Sequence, residues 1–107
     1  MNFLAILGTP QSQQQFVISA NSWSSCLAYC EGTGQEIISI QHLINGSFYP
    51  NVSGTNCYQV AATNSSNQLI NNWVWETSFD SLTTWIDAQG FLSVVSVQFS
   101  NKTYVVV

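Results

Sequence analysis

Ile37-Ile38-Ser39-Ile40-Gln41 returns later in the same chain as Val94-Val95-Ser96-Val97-Gln98. Each run has the length and the β-branched content of a strand. Working outward, Asn45-Gly46-Ser47 is echoed by Asn101-Lys102-Thr103, and Ser22-Trp23 by Ser78-Phe79, each pair 56 positions apart. The echoes divide the 107 residues into copies of about 1–51 and 56–107. A half of that size buries too little apolar surface to be comfortable alone. The reading is therefore one domain, residues 1–107, with an internal pseudo-repeat and a shared core.

The elements follow within each copy. Phe3 to Leu7 is a strand-length apolar run broken at Pro10, and Gln15 to Ala20 reads as its returning strand. Ser22 can cap a helix whose face is Trp23, Cys26, Leu27 and Cys30, with Gly32 and Gly34 as stops. Glu36 to Ile44 is the next strand, and Asn45-Gly46 suits a two-residue hairpin turn. The second copy repeats the order: Cys57 to Ala62, Leu69 to Glu76, a helix capped by Ser78 with face Phe79, Leu82 and Ile86 and ended by Gly90, then Leu92 to Ser100 and Thr103 to Val107 as a hairpin across Asn101-Lys102. The predicted fold class is α+β. It is a two-layer sandwich built from a duplicated strand-strand-helix-strand-strand unit, with both short helices over one mostly antiparallel sheet.

Charge narrows the function. Only 6% of residues are charged, against roughly 25% in ordinary domains. Lys102 is the sole basic residue, the acids are Glu31, Glu36, Glu76, Asp80 and Asp87, and Asn, Gln, Ser and Thr fill 43 of 107 positions. One lysine on a chain of net charge −4 cannot neutralise a row of phosphates or dock on an anionic bilayer. Nucleic acid and membrane are excluded as partners. Contacts must be apolar or neutral hydrogen bonds, which salt hardly screens. A weakly charged surface protects poorly against association and suits a subunit of a permanent assembly. The start of the chain has no basic flank of the kind a signal peptide carries, and no run reaches transmembrane length.

Reactive chemistry finds little support. Cys26, Cys30, Cys57 and His42 are zinc-competent by type, and Cys26 and Cys30 lie one helical turn apart. The repeat aligns them with Leu82 and Ile86, however, so buried thiols acting as small hydrophobes are the better reading. Three cysteines leave one unpaired, and side chains one turn apart run side by side, a poor geometry for a disulfide. A cysteine nucleophile would need His42 as base and Glu36 as orienter, which lie about 20 Å apart along an extended strand. A carboxylate pair could come only from Glu76 with Asp80 or Asp87, and Asp80 is accounted for by its place in the first turn of a helix. Gly32-Thr33-Gly34 has no lysine nearby to make a phosphate loop. The chain reads as no enzyme, with no cofactor and no metal.

The aromatic residues and the C-terminal strand remain. Tyr29 and Trp85 align across the copies at the edges of their helix faces. Trp73 and Trp75 share one side of a strand, where they serve the core or, with nearby Asn residues, form a sugar-stacking platform. Val105-Val106-Val107 is continuously apolar, the pattern of a strand buried on both faces. Tyr29, Trp73, Trp75, Trp85, Tyr104, Val105 and Val107 are accordingly the candidate interface residues for other protein subunits, further copies of this chain among them, with strand addition at an uncovered edge as the mechanism. In Leu7-Gly8-Thr9-Pro10 with its Gln-rich continuation, the Ser-aromatic helix starts, and the amide- and hydroxyl-rich strands ending in Tyr104-Val105-Val106-Val107, the chain resembles small virion proteins of tailed bacteriophages, especially marine ones. The resemblance implies a non-enzymatic capsid decoration or tail-accessory subunit located in the virion, present in many symmetric copies, with capsid or tail proteins as its partners. It carries no functional residue with it. A carbohydrate-binding or adhesive module is the alternative.

Overall fold

A computed structural model describes residues 1–44, 46–50 and 56–107. Asn45 of the first predicted turn and residues 51–55 lie outside the described residues. The elements are β1 (Asn2–Thr9), β2 (Ser12–Ser19), α1 (Trp23–Gly32), β3 (Ile37–His42), β4 (Gly46–Tyr49), β5 (Asn56–Thr63), β6 (Leu69–Glu76), α2 (Phe79–Gln89), β7 (Ser93–Ser100) and β8 (Thr103–Val106). The fold class is α+β, and the order ββαββ occurs twice.

The helices start as the hydroxyls require. Ser22 and Ser78 both sit in extended backbone just before their helices. Their Oγ atoms accept from the amides of Ser25 and Ser81, each at 3.1 Å, which satisfies first-turn donors that have no helical partner. Ser81 closes a reciprocal box by accepting from the Ser78 amide at 3.2 Å. Gly90, at φ 68°, ends α2 in the left-handed conformation that a glycine adopts without steric cost.

The strands divide between two sheets rather than forming one. Their orders are β3-β1-β2-β8 and β4-β6-β5-β7. Within each, the first hairpin is antiparallel, and the strand after the helix joins its far side, giving β1 between β2 and β3, and β5 between β6 and β7. The fourth strand of each copy is exchanged. β8 runs parallel to β2, from Phe16 opposite Thr103 to Ser19 opposite Val106. β4 runs parallel to β6, from Gly46 opposite Asn71 to Tyr49 opposite Val74. The chain thus forms two compact units, Met1–Ile44 with Lys102–Val107, and Asn45–Asn101.

This exchange overturns both terminal hairpins expected from the sequence. A two-residue hairpin turn of the favoured type needs positive φ at both positions. Among the described residues positive φ occurs at Gly8, Gly34, Asn67 and Gly90, and neither Asn101, Lys102 nor Gly46 adopts it. Lys102 carries a Cβ that penalises that conformation. Without a reversal the chain passes from one sheet to the other. The first hairpin is also tighter than expected: Thr9 pairs with Ser12, so Gln13, Gln14 and Gln15 are strand residues whose side chains are exposed. Pairing with β1 recruits them despite their neutral propensity.

Each unit is two-layered, one helix on one sheet. In the first, Phe3, Ala5 and Leu7 alternate along β1 and meet Ile18, Ala20, Cys26 and Cys30. In the second, Tyr58, Val60 and Ala62 do the same along β5 against Val74 and Leu82. Burial of Phe3, Leu7 or Ile18 stabilises by about 1.5–3 kcal/mol each. Val17, Cys57 and Trp75 are also buried, although their register turns them to the face away from the helix. Asn72 lies in the second core beside Val60. Its Nδ2 donates to the carbonyls of Val60 at 2.9 Å and Ile70 at 3.2 Å, which offsets the cost of burying an amide.

Removal of residues 103–107 should uncover β2. Hydrogen exchange should show lost amide protection along Phe16–Ser19, with a destabilisation of the first unit of about 2 kcal/mol or more, while β5 and β6 keep their protection. Unchanged exchange in β2 would contradict the exchanged-strand topology.

Candidate interaction surface

The candidate interface residues fall into three groups. Tyr29 and Trp85 are half-buried and pack against the first and second cores respectively. The Trp85 ring meets Tyr49 at 4.8 Å and Phe91 at 5.8 Å, both edge-on, an arrangement in which the electron-poor ring edge faces an electron-rich π face. These two rings seal the helix–sheet layers of their own units.

Trp73 and Trp75 do share the face of β6 opposite Val74, as the alternation requires. They do not make an exposed pair. Trp75 is only 3% exposed, and its ring lies 4.9 Å from that of Phe48 on β4. Trp73 is half-buried against Gly46, where a Cβ would collide with the indole ring. Phe48 and Gly46 of the neighbouring strand β4 flank the two indoles, and with Trp75 buried a platform presenting both rings to a sugar does not form. Trp75 is core, not interface.

The C-terminal strand departs from expectation in the other direction. Val105 faces the first core, and Tyr104 is half-buried on the opposite face. Val106 is 69% exposed and Val107 is also exposed. β8 is the edge of its sheet and has one strand neighbour, so continuous apolarity here does not mean burial on both faces. The Val107 amide still donates to the Ser19 carbonyl at 2.9 Å.

A run of exposed apolar residues also lies outside the candidate set. β7 is the edge of the second sheet and exposes Val94 (43%), Val95 (63%) and Phe99 (63%). Leu92 just before it is also exposed. No charge occurs between Asp87 and Lys102. The repeated run Val94-Val95-Ser96-Val97-Gln98 contained this signal. Two adjacent valines break strict alternation, and the register shows why. Ala61 pairs with Ser96 and Ala62 with Val94, so Val95 is an extra residue in a bulge. The first copy has the same device: Ile6 pairs with Ser39 and Leu7 with Ile37, leaving Ile38 as the extra residue.

Cys26, Cys30 and Cys57 are buried free thiols. Burial pushes the Cys26 thiol up to about 11, and Cys30 beside it adds to the shift. Burial raises Cys30 as well. Both are neutral thiols at physiological pH, the unreactive form. His42 is exposed, its ring 5.2 Å from Phe3. Among the described residues no three His, Cys, Asp or Glu side chains gather closely enough to hold a metal ion. None of the helices among them is long and apolar enough to cross a membrane.

Two outcomes follow from this packing. Trp75→Ala should cost about 3–5 kcal/mol in chemical denaturation, since it removes a side chain that is only 3% exposed and leaves a cavity in its place. The native cysteines should resist a thiol reagent at pH 8 and all react once the chain is unfolded. An unfolded thiol ionises near 9.0 and folded Cys26 only at about 11. The stability that the neutral thiol contributes is therefore intact below about pH 9 and is lost as pH rises through about 11; Cys26→Val should flatten that part of the melting-temperature profile. Comparison with protein-family models, with curated proteins and with solved structures gives no match.

Proposed function

We propose that the chain is a non-enzymatic structural subunit of a viral particle, a capsid decoration or tail-accessory protein. It binds a symmetric protein lattice through apolar and neutral polar contacts. The observation that carries this reading is the uncharged apolar edge of β7, with Val94, Val95 and Phe99 exposed. An exposed apolar edge on an isolated protein invites misassociation, and free proteins usually blunt such edges with lysine, proline, bulges or short strands; β7 has a bulge at Val95 but five regular residues beyond it and neither lysine nor proline. A subunit that spends its life covered has no such need. The near absence of charge fits the same role, because binding that uses no ion pairs keeps its strength whatever the ionic strength.

Sedimentation of the purified chain with tailed-phage capsids or tails tests it. The chain should pellet with the particles, and the bound fraction should be the same at low salt and in 1 M NaCl, about ten times the ionic strength at which the screening length is ~10 Å. Loss of binding as salt rises, or no binding to either kind of particle, would overturn it.

A further inference from the structure

We propose that β7 is a self-pairing edge, and that two copies of the chain join antiparallel through Ser96–Ser100 with Gln98 opposite Gln98. This is the same edge that carries the lattice reading, and self-pairing deepens that reading by naming its partner strand, a second copy of the chain; pairing of two copies is measured with no particle present, so it fails or holds separately from binding to particles.

The choice of β7 follows from the four edges. β4 and β8 are four residues long, and short edges offer little to pair with. β3 and β7 are the longer ones, each interrupted by a bulge, at Ile38 and Val95. Beyond its bulge β7 runs in regular register for five residues, Ser96-Val97-Gln98-Phe99-Ser100.

The choice of partner follows from the symmetry of that segment. An antiparallel pair about Gln98 sets Ser96 against Ser100, Val97 against Phe99 and Gln98 against itself. The faces agree as well. Val97 and Phe99 pair with Val60 and Tyr58, so both lie on the helix side, whereas Ser96, Gln98 and Ser100 lie on the other. Every cross-strand pair is then like with like: valine with phenylalanine twice on one face, hydroxyls and an amide pair on the other. Aromatic with β-branched pairs are among the favoured combinations. A side-chain amide is both donor and acceptor, so two can bond to each other across a twofold axis. Phe99 is already held in place by an edge-on contact with Tyr58 at 5.6 Å, yet most of its surface is free, so little ordering remains for pairing. The corresponding segment of β3, Ser39-Ile40-Gln41-His42-Leu43, would set Ile40 against His42 and Ser39 against Leu43 and lacks this match. Charge points the same way: two copies of net charge −4 repel, and they approach most easily where neither carries a charge. The twofold relation uses the same edge on both copies and closes at two, giving one sheet of order β4-β6-β5-β7-β7-β5-β6-β4.

Sedimentation equilibrium of wild type, Gln98→Lys, Gln98→Glu and their equimolar mixture tests the proposal. Gln98 is exposed, so circular dichroism of both variants should match wild type. Wild type should be a dimer. Each charged variant, which sets like charges face to face, should dissociate with a Kd at least about tenfold higher. The mixture should recover a one-to-one heterodimer. A wild type that stays monomeric or grows into open-ended chains, a Lys variant that pairs as tightly as wild type, or a mixture that stays monomeric would each overturn it.

Discussion

Two short parallel ladders, β8 on β2 and β4 on β6, are the contacts on which the rest depends. Each completes a sheet with a strand from the other copy. Val105 reaches the first core only because β8 is there, and Tyr49 reaches the second only because β4 is there. The indoles of β6 are flanked by the same strand, Phe48 beside Trp75 and Gly46 beside Trp73. Neither copy can finish its own unit, so the compactness of each unit is a property of the whole chain. The cost is kinetic: Phe16 must find Thr103 across almost the entire sequence, and such distant pairings close late and fold slowly.

With so few charges, neutral side chains take over tasks that acids and bases perform elsewhere. Helix starts use serine hydroxyls, and α1 has no acid in its first turn at all. The turn between β5 and β6 is held by Asn64, whose Oδ1 accepts from the amides of Ser66 and Gln68, each at 3.0 Å. Thr63 and Ser93 tie β5 to β7 through their hydroxyls at 2.8 Å. Each such bond contributes about 0.5–1.5 kcal/mol and is indifferent to salt. With only 6% of residues charged, the internal bonding of the fold and its neutral surface follow one rule: hydrogen bonds and apolar contact carry most of the energy.

Much of the element order is legible in the sequence, because it depends on local chemistry. Ser22 and Ser78 announce helices through the geometry of a hydroxyl acceptor, and the matched runs of β3 and β7 announce equivalent strands. The repeat also reads the thiols correctly: Cys26 occupies the core position that Leu82 fills in the other copy. Strand partnership is not legible in the same way. A four-residue strand after a two-residue link has the same composition whether it folds back or crosses to another sheet, and only the backbone angles at Asn101 and Lys102 decide. The candidate surface suffers from the same ambiguity. Val105-Val106-Val107 looks buried by apolarity but sits at an edge, while Trp73 and Trp75 look available by residue type but are half-buried and buried respectively. Asn72 is hidden for a further reason. The equivalent β2 position, set by its register against the first strand, is Phe16, and nothing in an amide's neighbours announces that it will find two carbonyls in a core.

The two long edges show how copies of one unit diverge under one constraint. Both keep the bulge, at Ile38 and at Val95, and both set a ring against the aromatic residue of the strand they pair with, Phe3 on β1 and Tyr58 on β5. In the first copy that ring is His42 on Phe3, at 5.2 Å; in the second it is Phe99 on Tyr58, at 5.6 Å. An imidazole at the end of β3 carries polar nitrogens that lose water on meeting another strand, so this edge is discouraged from pairing. A phenyl ring at the same place gains by being covered. One substitution in an otherwise matched strand therefore separates an edge that tolerates solvent from one that is better buried, and a duplicated fold with two equivalent edges acquires a single preferred side.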